Sequence, residues 1–167
     1  MRLFIALHFS EEVKASLLDA IRQLQEQSDS GNFTRPENLH LTLAFIGESE
    51  RLDDLHQILD RIDSHPFRLE LSGSGHFGEL YWAGLQKAPA LDRLARLLRK
   101  DLLEQGFDID RKPFRPHITL ARQLQAAKEP QIQLLPAVML AERISLMCSE
   151  RINGKLTYTE LYAKQLC

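Results

Sequence analysis

The chain has 167 residues, of which 44% are hydrophobic and 26% charged, with a formal net charge of −2. These values predict one globular domain, residues 1–167, and exclude a disordered chain or a strongly basic, nonspecific polyanion binder. No apolar run approaches the roughly 20 residues that span a bilayer, so a membrane protein is not expected.

Residues 2–9 are apolar and read as a strand. Ser10 can cap the next segment, and Glu11 and Glu12 suit a helix N-terminus. Val13, Leu17, Ala20, Ile21 and Leu24 recur at helical spacing, which predicts a helix over 11–27. Residues 31–38 read as a loop. Residues 39–46, LHLTLAFI, read as a strand ended by Gly47. Leu52, Leu55, Ile58, Leu59 and Ile62 mark a second helix. Residues 67–71 and 80–85 read as paired strands joined by the Gly-rich link SGSGHFGE. Leu91, Leu94, Ala95, Leu98 and Leu102 mark a third helix, with Gly106 as its terminator. Pro113 and Pro116 favour extended chain, and 117–121 reads as a strand. After a loop between Pro130 and Pro136, residues 138–149 and 155–164 read as closing strands. Neighbouring strands with interspersed helices predict an α+β domain. The opening decamer is too short and too soon charged for a signal peptide. With only Cys148 and Cys167, and no Cys-x-x-Cys spacing, neither a structural disulfide nor a zinc site is expected. The expected location is cytoplasmic.

One motif occurs twice: His40-Leu41-Thr42-Leu43 and His117-Ile118-Thr119-Leu120. Six histidines and five threonines in 167 residues make two His-x-Thr strands a rare coincidence. Side chains alternate across a strand, so His40 shares a face with Thr42, and His117 with Thr119. Unpaired His and Thr are costly to bury, so those faces must open onto a polar site. Two imidazoles and two hydroxyls suit phosphodiester chemistry. In-line displacement at phosphorus needs a base behind the attacking water and an acid at the departing oxygen. Histidine, with a pKa of about 6.5, serves as either. The hydroxyls can donate to non-bridging oxygens as charge builds there. No cofactor or metal is required, and neither motif brings the third ligand a two-His metal site would want.

LHLTLAFIGE (39–48) and KPFRPHITLAR (112–122) resemble the two signatures of the 2H phosphoesterase superfamily. The likeness is greatest to its RNA 2′,3′-cyclic phosphodiesterase branch, also called the 2′-5′ RNA ligase family. RLFIAL near the start and LTYTELY near the end are similar to that branch too. The resemblance implies a bilobal, pseudo-two-fold α+β fold, with antiparallel sheets lining a central cleft and helices outside. It implies hydrolysis of a 2′,3′-cyclic phosphate to a 2′-phosphomonoester, with His40 as proton donor and His117 as proton acceptor. The expected partner is RNA bearing a cyclic phosphate end, or a small cyclic nucleotide. The expected state is a monomer without an obligate protein partner. RNA ligase or 2′,5′-phosphodiesterase activity, and a non-catalytic RNA-binding module, are the alternatives.

Arg111, Lys112, Arg115 and Arg122 form a basic run without an acid between them, a phosphate-attracting rim for the second motif. Strand parity puts Arg115 on the His117 face, and Arg122 on the opposite face unless the strand bends. Tyr158 is a candidate to stack a base, whereas Phe45 falls on core-facing parity. His8, His56, His65 and His76 read as structural or surface histidines, with His56 facing solvent.

Overall fold

The computed structural model describes residues 1–167. Nine strands and three helices follow in the order β1 (Arg2–Leu7), α1 (Glu11–Gln27), β2 (Ser30–Phe33), β3 (Leu41–Glu48), α2 (Leu52–Arg61), β4 (Phe67–Phe77), β5 (Leu80–Leu85), α3 (Pro89–Glu104), β6 (Ile118–Gln125), β7 (Val138–Ala141), β8 (Arg143–Ile152) and β9 (Lys155–Gln165). The strands form two antiparallel sheets, ordered β3-β1-β8-β9 and β2-β6-β5-β4-β7. The fold is α+β, as expected.

The helices form where the apolar spacing places them. Ser10 caps α1, its Oγ accepting from the Val13 amide at 3.2 Å. The buried stripe of α1 is Val13, Ser16, Leu17, Ala20, Ile21 and Leu24. Helix α3 buries Leu91, Leu94, Ala95, Leu98 and Leu102. It ends where Gly106 takes φ +84, a left-handed value that glycine reaches without a Cβ clash. The helices cross over. Helix α1 follows β1 in sequence but packs on β2, β6 and β7 of the other sheet, while α3 follows β5 and packs on β3. Helix α2 lies against α3, β8 and β9. A core of 39 buried residues draws on both sheets and all three helices.

Several expectations are corrected. Residues 30–33, within and beside the expected loop, form β2, an edge strand bonded to β6. The Gly-rich segment is not a link. Strand β4 runs on to Phe77, and only Gly78 and Glu79 turn the hairpin. A Cβ on Gly75 would come 2.5 Å from the Trp82 ring, so the glycine lets the indole lie flat across β4. The expected strand 138–149 is two strands. Ala141 pairs with Phe67 in one sheet, Arg143 pairs with Gln165 in the other, and Glu142 is the crossing residue. His56 does not face solvent freely. Its ring stacks on Tyr162 at 4.2 Å, and its Nε2 is buried without a partner.

Candidate active site

The two motif strands belong to different sheets and face a common cleft of about 1050 Å³, lined by His40, Thr42, His117 and Thr119 among others. His40 and His117 each stand just before the first residue of their strands, Leu41 and Ile118. Their Nδ1 atoms make the same bond. That of His40 lies 2.7 Å from the Asn38 carbonyl, and that of His117 lies 2.8 Å from the Arg115 carbonyl. A carbonyl only accepts, so each Nδ1 carries the proton and donates it. Each Nε2 is thereby left as the working nitrogen, a lone pair in the neutral ring and an acid in the charged one. The Thr42 hydroxyl is 2.9 Å from His40 Nε2 and donates to it while the ring is neutral.

The carbonyl that orients His40 is itself held. Asn38 is buried, and its Nδ2 donates to the Leu156 carbonyl at 3.0 Å. The Arg35 guanidinium donates to the same carbonyl, so the 3-10 turn Pro36–Asn38 is tied to β9. On the other strand, the Thr34 hydroxyl donates to the Thr119 carbonyl at 2.9 Å. The residue that follows the missed strand β2 thus braces the second motif.

The two imidazoles differ in surroundings. His40 is wedged between Phe4, centroids 5.0 Å apart, and Tyr158, 5.1 Å away and edge-on. Burial there lowers its pKa, outweighing the Asn38 carbonyl that raises it. The charges of His8 and Arg122 lower it further. Burial also raises the Tyr158 pKa. His117 has one aromatic neighbour, Phe77, at 5.7 Å. Its Nε2 makes no protein hydrogen bond.

Tyr158 lines the cleft. Arg122 lies there too, against the simple parity reading. The reason is a β-bulge. Ala121 pairs with Tyr81 and Thr119 with Trp82, so Leu120 is an extra residue without a partner. Leu120 and Ala121 are both buried, and Arg122 emerges on the Thr119 side. The first motif repeats the device. Ala44 pairs with Ile5 and Thr42 with Ala6, leaving Leu43 unpaired. Phe45, expected in the core, is 46% exposed and lines the cleft. The Arg115 side chain does not line this cleft. It precedes β6 and opens instead onto a second groove beside His117.

Sequence reasoning missed Asn38, Phe4 and Phe77. Asn38 carried a readable signal, since it precedes His40 by two positions as Arg115 precedes His117. Strand β1 is buried on both faces after Arg2, so alternation could not single out Phe4.

The family model described as the 2′-5′ RNA ligase superfamily matches residues 10–152. The chain belongs to this superfamily. A Thermus thermophilus relative named RNA 2′,3′-cyclic phosphodiesterase is 37% identical over 180 residues, covering 96% of this chain and 88% of its own. A Geobacillus stearothermophilus relative of the same name is 31% identical over 92% of this chain, which spans only about half, 53%, of that protein. The crystal structure of E. coli LigT complexed with 3′-AMP superposes with a TM-score of 0.86 at 28% identity, covering 99% of this chain and 97% of that one. Superfamily membership agrees with the resemblance carried by the paired motifs. No helix of the chain is long and apolar enough to cross a membrane.

Proposed function

We propose that this chain hydrolyses 2′,3′-cyclic phosphate ends of RNA to 2′-phosphomonoesters. The observation that carries the reading is the pairing of two Nδ1-anchored histidines across one cleft, each two residues from a threonine hydroxyl. The names of the relatives support the same activity. His117 Nε2 takes a proton from water, which attacks phosphorus in line with the 3′ oxygen. The bond from phosphorus to that oxygen breaks, and His40 Nε2 delivers its proton there. The 2′ ester is untouched, so the product is a 2′-phosphate. Thr42, Thr119 and Arg122 neutralise the non-bridging oxygens, where charge builds in the transition state. Tyr158 beside His40 offers apolar surface to the nucleoside whose 3′ oxygen departs, and buried Phe4 backs the His40 ring. Burial favours neutral His40 in the free protein. An arriving phosphate anion favours the charged ring, which is the form that can act as the acid. The chain acts on RNA as a monomer, every named group coming from one copy. The free thiols of Cys148 and Cys167 suit the reducing cytoplasm.

The test is product analysis from an oligoribonucleotide with a 2′,3′-cyclic phosphate end, in the presence of EDTA. The expected product is the 2′-phosphate. An unchanged substrate, or a 3′-phosphate product, would overturn the reading.

A further inference from the structure

His40 has a second histidine beside it on the same sheet. Leu7 pairs with Leu41 in β3 and with Ile144 in β8. His8, one residue on, therefore stands level with His40 on one side and Arg143 on the other. By strand alternation it shares a face with Phe4 and Ala6, and Phe4 packs on the His40 ring.

A polar cluster surrounds His8 on that face. Ser145 is fully buried, and its hydroxyl donates to Glu160 Oε2 at 2.7 Å. Arg143 Nη1 donates to the other oxygen, Oε1, at 3.1 Å. His8 Nε2 is shielded from solvent, makes no hydrogen bond, and lies 3.5 Å from Glu160 Oε2. A protonated His8 thus faces a carboxylate that is already fixed in place. A bulge aims that carboxylate. Leu146 pairs with Tyr162 and Met147 with Glu160, so Leu161 is an extra residue. Glu160 stays on the Tyr158 face, while Tyr162 turns to α2 and donates to Asp60. None of His8, Arg143, Ser145 and Glu160 lines the catalytic cleft. They reach the reaction only through His40.

Charge carries the link. Two imidazolium rings at neighbouring positions repel, so a proton on one opposes a proton on the other. On His8, burial and the cations Arg143 of β8 and Lys14 of α1 oppose the proton, while Glu160 of β9 favours it. On His40, burial opposes it, the Asn38 carbonyl favours it, and His8 and Arg122 of β6 oppose it. We infer that His8 is a positioning residue for the acid step, a charge-setting neighbour that, with Glu160 as its counter-ion, fixes how readily His40 holds its proton. The inference rests on the hydrolytic reading above, which makes His40 the proton donor. The pair His8–Glu160 thus sets the pH range of a reaction in which neither side chain touches the substrate.

The experiment varies the charge at position 8 of the full chain through His8→Lys, His8→Gln and His8→Glu. The His40 ring is titrated by NMR in the free protein. The limb at which kcat/KM for a 2′,3′-cyclic nucleotide falls with rising pH is measured alongside. Both midpoints are expected to rise in the order Lys, Gln, Glu, by about 0.5 pH unit for each step of charge. The wild type should lie between Lys and Gln. Glu160→Gln should lower the midpoint of His8 itself. A side chain with a structural role alone would change stability without ordering the midpoints by charge. A His40 midpoint that is the same in all variants, or ordered otherwise, would overturn the inference, as would a His8 midpoint untouched by Glu160→Gln. Should a charged variant not fold, His8→Gln by itself must raise the His40 midpoint above that of the wild type. If the NMR midpoints follow the charge while the kcat/KM limb stays put, the link between the histidines stands and the donor role of His40 in the hydrolytic reading fails, so the two failures are distinct.

Discussion

Leu43 and Leu120 hold equivalent places, each the unpaired residue of a β-bulge directly after a motif threonine. Each bulge buries two successive residues and turns the next side chain, Phe45 or Arg122, into the cleft. On one motif strand that position supplies an apolar ring, on the other a cation. The two motif strands therefore present unlike groups to the cleft at equivalent positions.

Arg122 should act on the phosphate. Arg122→Ala is expected to reduce kcat/KM by about 10- to 100-fold, the loss of one charge-assisted hydrogen bond. Arg122→Lys should recover part of it. Steady-state kinetics on a cyclic nucleotide checks both, and an unaffected Arg122→Ala enzyme would remove Arg122 from the site.

His40→Ala and His117→Ala should each lower kcat by at least about 10²- to 10⁴-fold. Far-UV circular dichroism should stay that of the wild type. Near-normal turnover in either variant would refute its role. The threonines should cost less. Thr42→Val and Thr119→Val keep the shape and remove a donor, with an expected loss of about 10²-fold in kcat.

The depressed pKa of His40 sets a pH dependence. As proton donor, His40 must be charged, so kcat/KM should fall as pH rises through a value below the usual 6.5 or so of histidine. In the complex the phosphate anion favours the charged ring, so the corresponding limb of kcat should lie at higher pH. Comparing the two profiles is the check, and coincident limbs would argue against phosphate contact with His40.

Stability should carry the same signature. His8 and His40 both have lowered pKa values, burial being the largest cause for each. As pH falls below about 6.5 the unfolded chain takes up their protons before the folded chain does, so stability falls with pH across that window. Melting temperatures from pH 7.5 to 5 should decline, and His40→Gln should flatten the decline. A flat wild-type curve would contradict the assignment.

Phe4 is 2% exposed and packs directly on His40. Phe4→Leu should cost about 1 kcal/mol of stability. It should also let water reach the imidazole and raise the His40 pKa towards its ordinary value. Thermal unfolding and an NMR titration of the His40 ring read the two effects separately.

The repeated His-x-Thr pairs, the three helices and the order of the long strands were legible in the sequence, because each rests on local periodicity. The tie between Arg35, Asn38 and Leu156 was not, since it joins residues more than a hundred positions apart. Strand β2 was hidden because SGNF has no β-forming pattern of its own and is made a strand by the edge of β6. The bulges were hidden because Leu-Ala reads as unbroken alternation until a partner strand skips a residue. That slip is why simple parity put Arg122 on the wrong face, whereas Arg115 escaped parity because it lies before β6 begins.

Strand β1 lies between β3 and β8, so the sheet that carries His40 is stitched from both ends of the chain. On a ribosome, β1 and β3 emerge with one sheet edge unpaired until residues 143–152 are made. Tyr158, which closes the pocket around His40, arrives later still. Contacts of such long sequence separation slow folding. They also mean that the acid of the proposed pair finds its apolar surroundings only when synthesis is nearly complete, so that a truncated nascent chain lacks the finished His40 pocket.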